Sequence, residues 1–307
     1  MSSFAALLFL LAATTCVEAR PTRAPQERPS YLRVQILLDR AHFSPGEIDG
    51  VAGKNTRQAL RAYRSAHGLR ETSDLAPQTL KALAGSDPVP TLLPYTITEE
   101  DTRGPFVTVP NDLMEQATLP ALDYQSPLEA LAEKFHVKPA LLSRLNPGKD
   151  FSTPGVEIKV PNIRREEAPP KAARIVVSKS RDTLEAFSAA GRLIAAYPVT
   201  SGSQHDPLPL GTWKVTGVAH NPVFHYNPDL FWNASEADEK AKIQPGPNNP
   251  VGVVWIDISK EHYGIHGTPE PSLIGHAQSH GCVRMTNWDV AELSKMVTAG
   301  TPVVFKH

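Results

Sequence analysis

Two short blocks near the C-terminal end hold the residue types that could do chemistry: Gly264-Ile265-His266-Gly267-Thr268 and Ser279-His280-Gly281-Cys282-Val283-Arg284-Met285. A thiol at its ordinary pKa is only a few per cent thiolate at neutral pH, so a cysteine nucleophile needs a base or cation beside it. His266 and His280 are the candidate bases. On a strand, His280 and Cys282 would share a face, whereas a tight loop would aim them differently. His266 lies far enough upstream for a loop to return it to the thiol. Gly267 and Gly281 let backbone N–H groups approach a substrate, and such groups can form an oxyanion hole worth about 3 kcal/mol per donor. The bland alternative for Cys282 is a small buried hydrophobe. The rival chemistry is zinc, because His262, His266, His276, His280 and Cys282 form a dense set of ligand types. No His-Glu-x-x-His and no paired Cys-x-x-Cys spacing supports it. Ser201-Gly202-Ser203 lacks the Gly-x-Ser-x-Gly elbow of a serine hydrolase.

The compartment bears on the thiol. Residues 1–19 carry an apolar run, Phe4 to Ala13, followed by Val17-Glu18-Ala19, an A-x-A-like cleavage site. The run is too short to span a bilayer. The reading is an export signal, placing the mature protein in the periplasm or cell wall with no transmembrane segment. Cys16 raises a lipoprotein option, but Ala13-Thr14-Thr15 lacks the expected pattern. Cleavage after Ala19 would remove Cys16 and leave Cys282 as the single cysteine, unable to form an internal disulfide. Exported compartments are oxidising and a spare thiol there is a liability, but composition alone does not decide between a buried small hydrophobe and a nucleophile. Across 307 residues the net charge is −1, with 41% hydrophobic and 21% charged residues, so no global basic field points to nucleic acid. The 29 prolines, about twice the usual share of roughly 5%, predict many loops and linkers.

The elements that must position these residues fall into a multidomain α+β chain. After a polar, Pro-rich linker (20–30), residues 31–85 read as a three-helix domain. Val34, Leu37 and Leu38 share one helix face, and Ala59, Leu60 and Tyr63 another. Pro45-Gly46 and Asp49-Gly50 mark turns, Asn55 or Thr56 is the expected cap of the second helix, and Pro77 opens a third. Pro88 to Pro94 reads as a linker and Tyr95 to Thr98 as a strand. Ser126-Pro127 with Glu129 starts a helix, Lys138 to Leu145 makes a second, and Gly155 to Pro161 closes as a strand. This module spans 95–162, with an insertion near 103–124. Residues 163–172 read as a charged linker. From 173 to 307 the pattern is mostly β, of sandwich or barrel type: 174–179, 184–188, 192–199, 211–216, 253–258 and a last strand at 302–305. Thr286 caps the one clear helix there, with Gly300 as its stop signal.

Three resemblances follow from these residues. Gln35, Leu38, Pro45-Gly46-Glu47-Ile48-Asp49-Gly50, Gly53, Thr56, Ala59, Gly68-Leu69 and Thr79 resemble a peptidoglycan-binding-1 domain, with Tyr63-Arg64 where that family commonly has Phe-Gln. The strand–helix–helix–strand order of 95–162 resembles a LysM domain, which implies binding of N-acetylglucosamine glycans. Arg174 to Lys306 closely resembles the L,D-transpeptidase catalytic domain of YkuD type, whose signature is a histidine, a spacer and Ser/Thr-His-Gly-Cys. Pro198 to Ser203 and Pro209-Leu210-Gly211-Thr212-Trp213 resemble that family's upstream block, with Leu210 altering its usual Thr-Pro form. Asn227 to Trp232 and Pro245 to Gly252 resemble the ErfK/YbiS subgroup.

The last resemblance implies roles. Cys282 would attack the carbonyl of the third residue of a peptidoglycan stem tetrapeptide, releasing D-alanine. His266 would be the base, His280 would orient the pair, Ser279 would assist by hydrogen bonding, and the Gly281 and Cys282 amides would hold the oxyanion. Arg284 would bind a substrate carboxylate; the alternative is a surface ion pair. Tyr263, Trp232 and Asn248 could line the pocket, or equally pack and turn the chain. No cofactor is implied. The partners would be stem peptides and glycan strands. The acyl acceptor stays open among a second stem peptide, an envelope protein and water. A zinc amidase and an inert glycan binder are the remaining readings.

Overall fold

The computed structural model describes residues 30–71, 73–85, 90–165, 169–232, 234–279 and 281–307. The expected export signal, most of the linker after it, and His280 lie outside the described residues. Among the described residues no helix is long and apolar enough to cross a membrane.

The N-terminal domain is helical, as its periodicity predicts: α1 (Tyr31–Arg40), α2 (Lys54–Ala66) and α3 (Pro77–Ala84). Ser30 caps α1 by accepting from the Arg33 amide. Val34, Leu37 and Leu38 meet Ala59, Leu60 and Tyr63 in one cluster, while Ile36 faces the next module. Gln35 sets the turn between α1 and α2. Its amide donates to Asp49 and Thr56 and its carbonyl accepts from the Gly50 N–H at 2.7 Å. The expected Asn55 or Thr56 cap is not formed. Gly53 occupies the N-cap, and Asn55 donates instead to the Ile274 carbonyl of the C-terminal domain at 2.8 Å. A tertiary partner has outcompeted the local one.

The second module runs β1 (Leu92–Thr96), α4 (Glu99–Thr102), α5 (Leu113–Gln116), α6 (Pro127–Lys134), α7 (Pro139–Leu145) and β2 (Glu157–Pro161), with β1 and β2 antiparallel. The strand–helix–helix–strand frame of the sequence reading is present, and α4 and α5 lie between its first strand and first helix. The strand starts earlier than expected, at Leu92. Pro94 pairs with Lys159 in a two-stranded ribbon, where a proline need not break an interior ladder. Ser126 and Pro127 start α6 as read. Ile36, Ile48, Leu131, Leu142, Ile158 and Val160 form the core.

The C-terminal domain contains β3 (Arg174–Ser178), β4 (Thr183–Phe187), β5 (Leu193–Pro198), β6 (Thr200–Ser201), β7 (Gly211–His220), β8 (Phe224–Tyr226), β9 (Ala241–Ile243), β10 (Val254–Ile258), β11 (Gly264–His266), β12 (Val283–Arg284), α8 (Asn287–Met296) and β13 (Pro302–Lys306). One mixed sheet has the order β5-β4-β3-β13-β7-β10-β11-β12-β6, and β8 and β9 form a separate hairpin. Only Val199 separates β5 from β6, yet they are the two edges of the sheet. The sheet must therefore curl until its edges meet, giving the barrel-like form expected. Thr286 caps α8, and Val290, Leu293 and Met296 bury one helix face against Ile175, Val177, Ile256 and Val303. The helix ends at Met296, so Gly300, at φ 91°, shapes the turn into β13 rather than the helix stop.

The expected linker 163–172 is a joint instead. Arg165 donates to the Asp39 carbonyl and carboxylate and contacts Glu292 of α8. His136 of the second module donates to Asp39 at 2.9 Å and stacks on Trp288. Tyr197 donates to Glu292 at 2.6 Å, and Ser44 to Asp289 at 2.9 Å. All three folded units thus meet in one buried polar network. Burial pushes the Asp39 carboxyl up, but His136 and Arg165 hold it below its usual range, whereas buried Asp289 is pushed up to about 7. Removing one partner of such a network strands the others. Arg165→Met is expected to cost about 3 kcal/mol or more, read as a lower urea midpoint at unchanged m-value.

Candidate active site

Parallel pairing of β11 with β12 builds the site. The register sets Ile265 against Val283 and His266 against Arg284, and Cys282 immediately precedes β12. The two chemistry-bearing blocks therefore meet as adjacent strands. β12 also pairs with β6, which brings the 200–202 loop alongside.

Cys282, His266, Arg284 and Tyr263 line one cavity of about 920 Å³. That volume lies within the range of about 300–1,000 Å³ usual for ligand sites. The Cys282 Sγ faces the His262 carbonyl at 3.8 Å and the Gly264 amide. Burial pushes the thiol up, while the Gly264 amide and Arg284 pull in the other direction without cancelling it. His266 is 4% exposed and lies flat against Trp255, with ring centroids 5.3 Å apart. Its Nδ1 donates to the Gly267 carbonyl at 2.7 Å. That bond leaves Nε2 as the lone-pair nitrogen. Burial, then the charge of Arg284, push the His266 pKa down to about 3. These shifts favour a neutral thiol and a neutral imidazole over a preformed ion pair.

Arg284 is half-buried, its Nε has no hydrogen-bond partner, and no carboxylate ion-pairs with it among the described residues. The surface ion pair weighed for it is not formed. A guanidinium with an open donor is able to take an anionic group. Ser279 accepts from the Gly202 N–H at 2.6 Å and donates to the Cys282 carbonyl at 2.7 Å, so it fixes the turn carrying the cysteine. Gly281 has φ 94°, and a Cβ there would lie 2.5 Å from the Tyr263 ring. Gly281→Ala must therefore strain the backbone and displace the Tyr263 ring, which lines the cavity. We expect kcat to fall on the order of 100-fold with a small loss of thermal stability, checked by steady-state kinetics beside a circular-dichroism melt.

Other expectations are placed elsewhere. The Gly267 N–H donates to the Val254 carbonyl, continuing the β10–β11 ladder, so it is not offered to a substrate. Asn248 is 5% exposed and donates to the Asp123 carbonyl and Glu129 of the second module, both at 2.9 Å; it braces rather than lines the cavity. Trp232 is 60% exposed and stacks on His205. His280 lies outside the described residues, and among the described residues no three His, Cys, Asp or Glu side chains converge as metal ligands.

The sequence reading missed Trp255, Asn287 and Glu133. Asn287 accepts from the Val253 N–H and donates to Glu133 of α6, and its Oδ1 lies where a Cβ on Gly252 or Gly267 would be. The loop behind His266 is thus pinned from the second module. Alternation in Val254–Ile258 could have shown Trp255 on one face of its strand, but nothing local names Glu133 as the partner of Asn287.

Comparison with known proteins fits this geometry. The family model for the YkuD L,D-transpeptidase catalytic domain matches residues 172–305, and that for a peptidoglycan binding domain matches 27–83. The chain is 34% identical over 178 residues to a protein of Bacillus licheniformis named for the L,D-transpeptidase YkuD, covering 57% of this chain and 91% of that one. It is 32% identical to the Bacillus subtilis protein of the same name, covering 59% and 93%. It is 29% identical to YbiS of Escherichia coli, also named as an L,D-transpeptidase, covering 58% and 60%. With a thiol at the mouth of one of two paired strands and a buried histidine on the other, the chain belongs to the YkuD family of L,D-transpeptidases.

Proposed function

We propose that the protein is an exported enzyme that cuts peptidoglycan stem tetrapeptides through a Cys282 thioester and passes the acyl group to an amine. The observation that carries the reading is the cavity shared by Cys282, His266 and Arg284. Arg284 holds a carboxylate of the donor peptide. As the thiol attacks the carbonyl of the third stem residue, its proton moves to Nε2 of His266 and the S–C bond forms. The amides of Gly281 and Cys282 face the developing oxyanion. The C–N bond then breaks, and the protonated imidazole of His266 returns the proton to the departing D-alanine amine. An acceptor amine attacks the thioester, loses its proton through His266, and the C–S bond breaks. The N-terminal helical domain and the strand–helix–helix–strand module hold the enzyme on glycan strands.

The test is incubation with a disaccharide-tetrapeptide, with and without EDTA, followed by mass spectrometry of the products. Free D-alanine and a 3–3 cross-linked dimer are expected, unaffected by EDTA. Tripeptide without dimer would make water the acceptor, and loss of activity with EDTA would overturn the thiol reading in favour of a metal site.

A further inference from the structure

The inserted segment between β1 and α6 crosses to the catalytic domain. The Leu122 N–H donates to the Pro245 carbonyl, and the Leu122 carbonyl accepts from the Asn248 N–H, both at 2.9 Å. The approach is close enough that a Cβ on Gly246, at φ 150°, would lie 2.1 Å from the Leu122 oxygen. Leu122 forms a buried apolar cluster with Tyr226 of β8 and Ile243 of β9, and Leu113, Met114 and Leu119 pack against it. The β8–β9 hairpin is one wall of the cavity that holds Cys282, and Phe224, Tyr226 and Phe231 line it. Leu113, the first residue of α5, reaches the same cavity and is half-buried.

We infer that Leu113 is a specificity-determining residue: the second module supplies, through its insertion, an apolar wall against which the aliphatic part of the acyl-donor peptide packs. The inference rests on the transpeptidase reading above. Among the described residues Arg284 is the one Arg or Lys lining this cavity, which also carries Asp206, Asp229 and Asp238, so a donor anchored on Arg284 by its carboxylate sets its aliphatic carbons against lining such as Leu113, Phe224 and Phe231. Burial of such carbons against Leu113 is lost when the side chain is cut back. The module is thereby part of the reaction site and not only a tether.

The test compares full-length wild type with Leu113→Ala and Leu119→Ala. Leu119 packs on the same cluster but does not line the cavity. Acylation of Cys282 is followed by intact-protein mass spectrometry at a series of tetrapeptide concentrations, beside iodoacetamide alkylation and a thermal melt. Leu113→Ala should raise the half-saturating donor concentration about tenfold, with the maximal acylation rate and the alkylation rate within about twofold of wild type. Leu119→Ala should lower Tm and leave half-saturation unchanged. An unchanged half-saturation in Leu113→Ala, or an equal shift in both variants, overturns the inference. If wild type itself forms no adduct, the transpeptidase reading fails and the inference goes with it.

Discussion

Replacing Cys282 by alanine is expected to cut D-alanine release from a tetrapeptide donor by about four orders of magnitude or more, with the fold intact. The thiol is outside the main apolar cluster, and its facing groups are a carbonyl and an amide. Its removal therefore opens no core cavity, and the melting curve should barely move. A structural cysteine predicts the opposite pattern, with stability lost and turnover kept. Cys282→Ser should be nearly as inactive, because a hydroxyl beside a base this weak ionises far less readily than a thiol. D-alanine assay and a thermal melt on the same preparations check both halves.

His266→Gln is expected to slow acylation about 1,000-fold, or about 4 kcal/mol in activation free energy. The pH profile separates loss of a base from loss of structure. In the wild type, burial and Arg284 push the imidazole down to about 3, so the base stays neutral at every higher pH, while burial pushes the thiol up. Acylation should then be nearly flat from about pH 5 to 8. Without the base only the thiolate reacts, and its fraction below the thiol pKa rises about tenfold per pH unit. The residual rate of His266→Gln should climb with that slope over the same window. A flat profile for the variant would mean that His266 is not the base. A wild-type profile falling below about pH 6.5 would mean that its imidazole titrates at the ordinary value.

The site was legible where its chemistry is local. Cys282 directly after His-Gly and His266 between Ile265 and Gly267 stand out by type and spacing, and the structure pairs their two segments; alternating segments located β3, β5, β7 and β10 within a few residues. What escaped depends on distant partners. Asn248 looked like a turn residue able to face a pocket, but its amide is taken by Asp123 and Glu129 of another module. Asn55 had the right type for a cap, yet a carbonyl of the catalytic domain took it. The charge and prolines around Arg165 read as a linker, because nothing nearby announces a buried carboxylate on α1. Gly267 was read as an amide offered to substrate, but the sheet ladder consumes it. The insertion near 103–124 showed only as an interruption; its apolar residues have no local period to name the hairpin they cover.

The most direct measurement is intact-protein mass spectrometry of the wild type mixed with a tetrapeptide donor and quenched in acid within the first turnovers. The account predicts a mass gain equal to the donor less D-alanine, located by digestion on the peptide containing Cys282 and absent from Cys282→Ala. D-alanine release without any adduct, or an adduct on another residue, would contradict it.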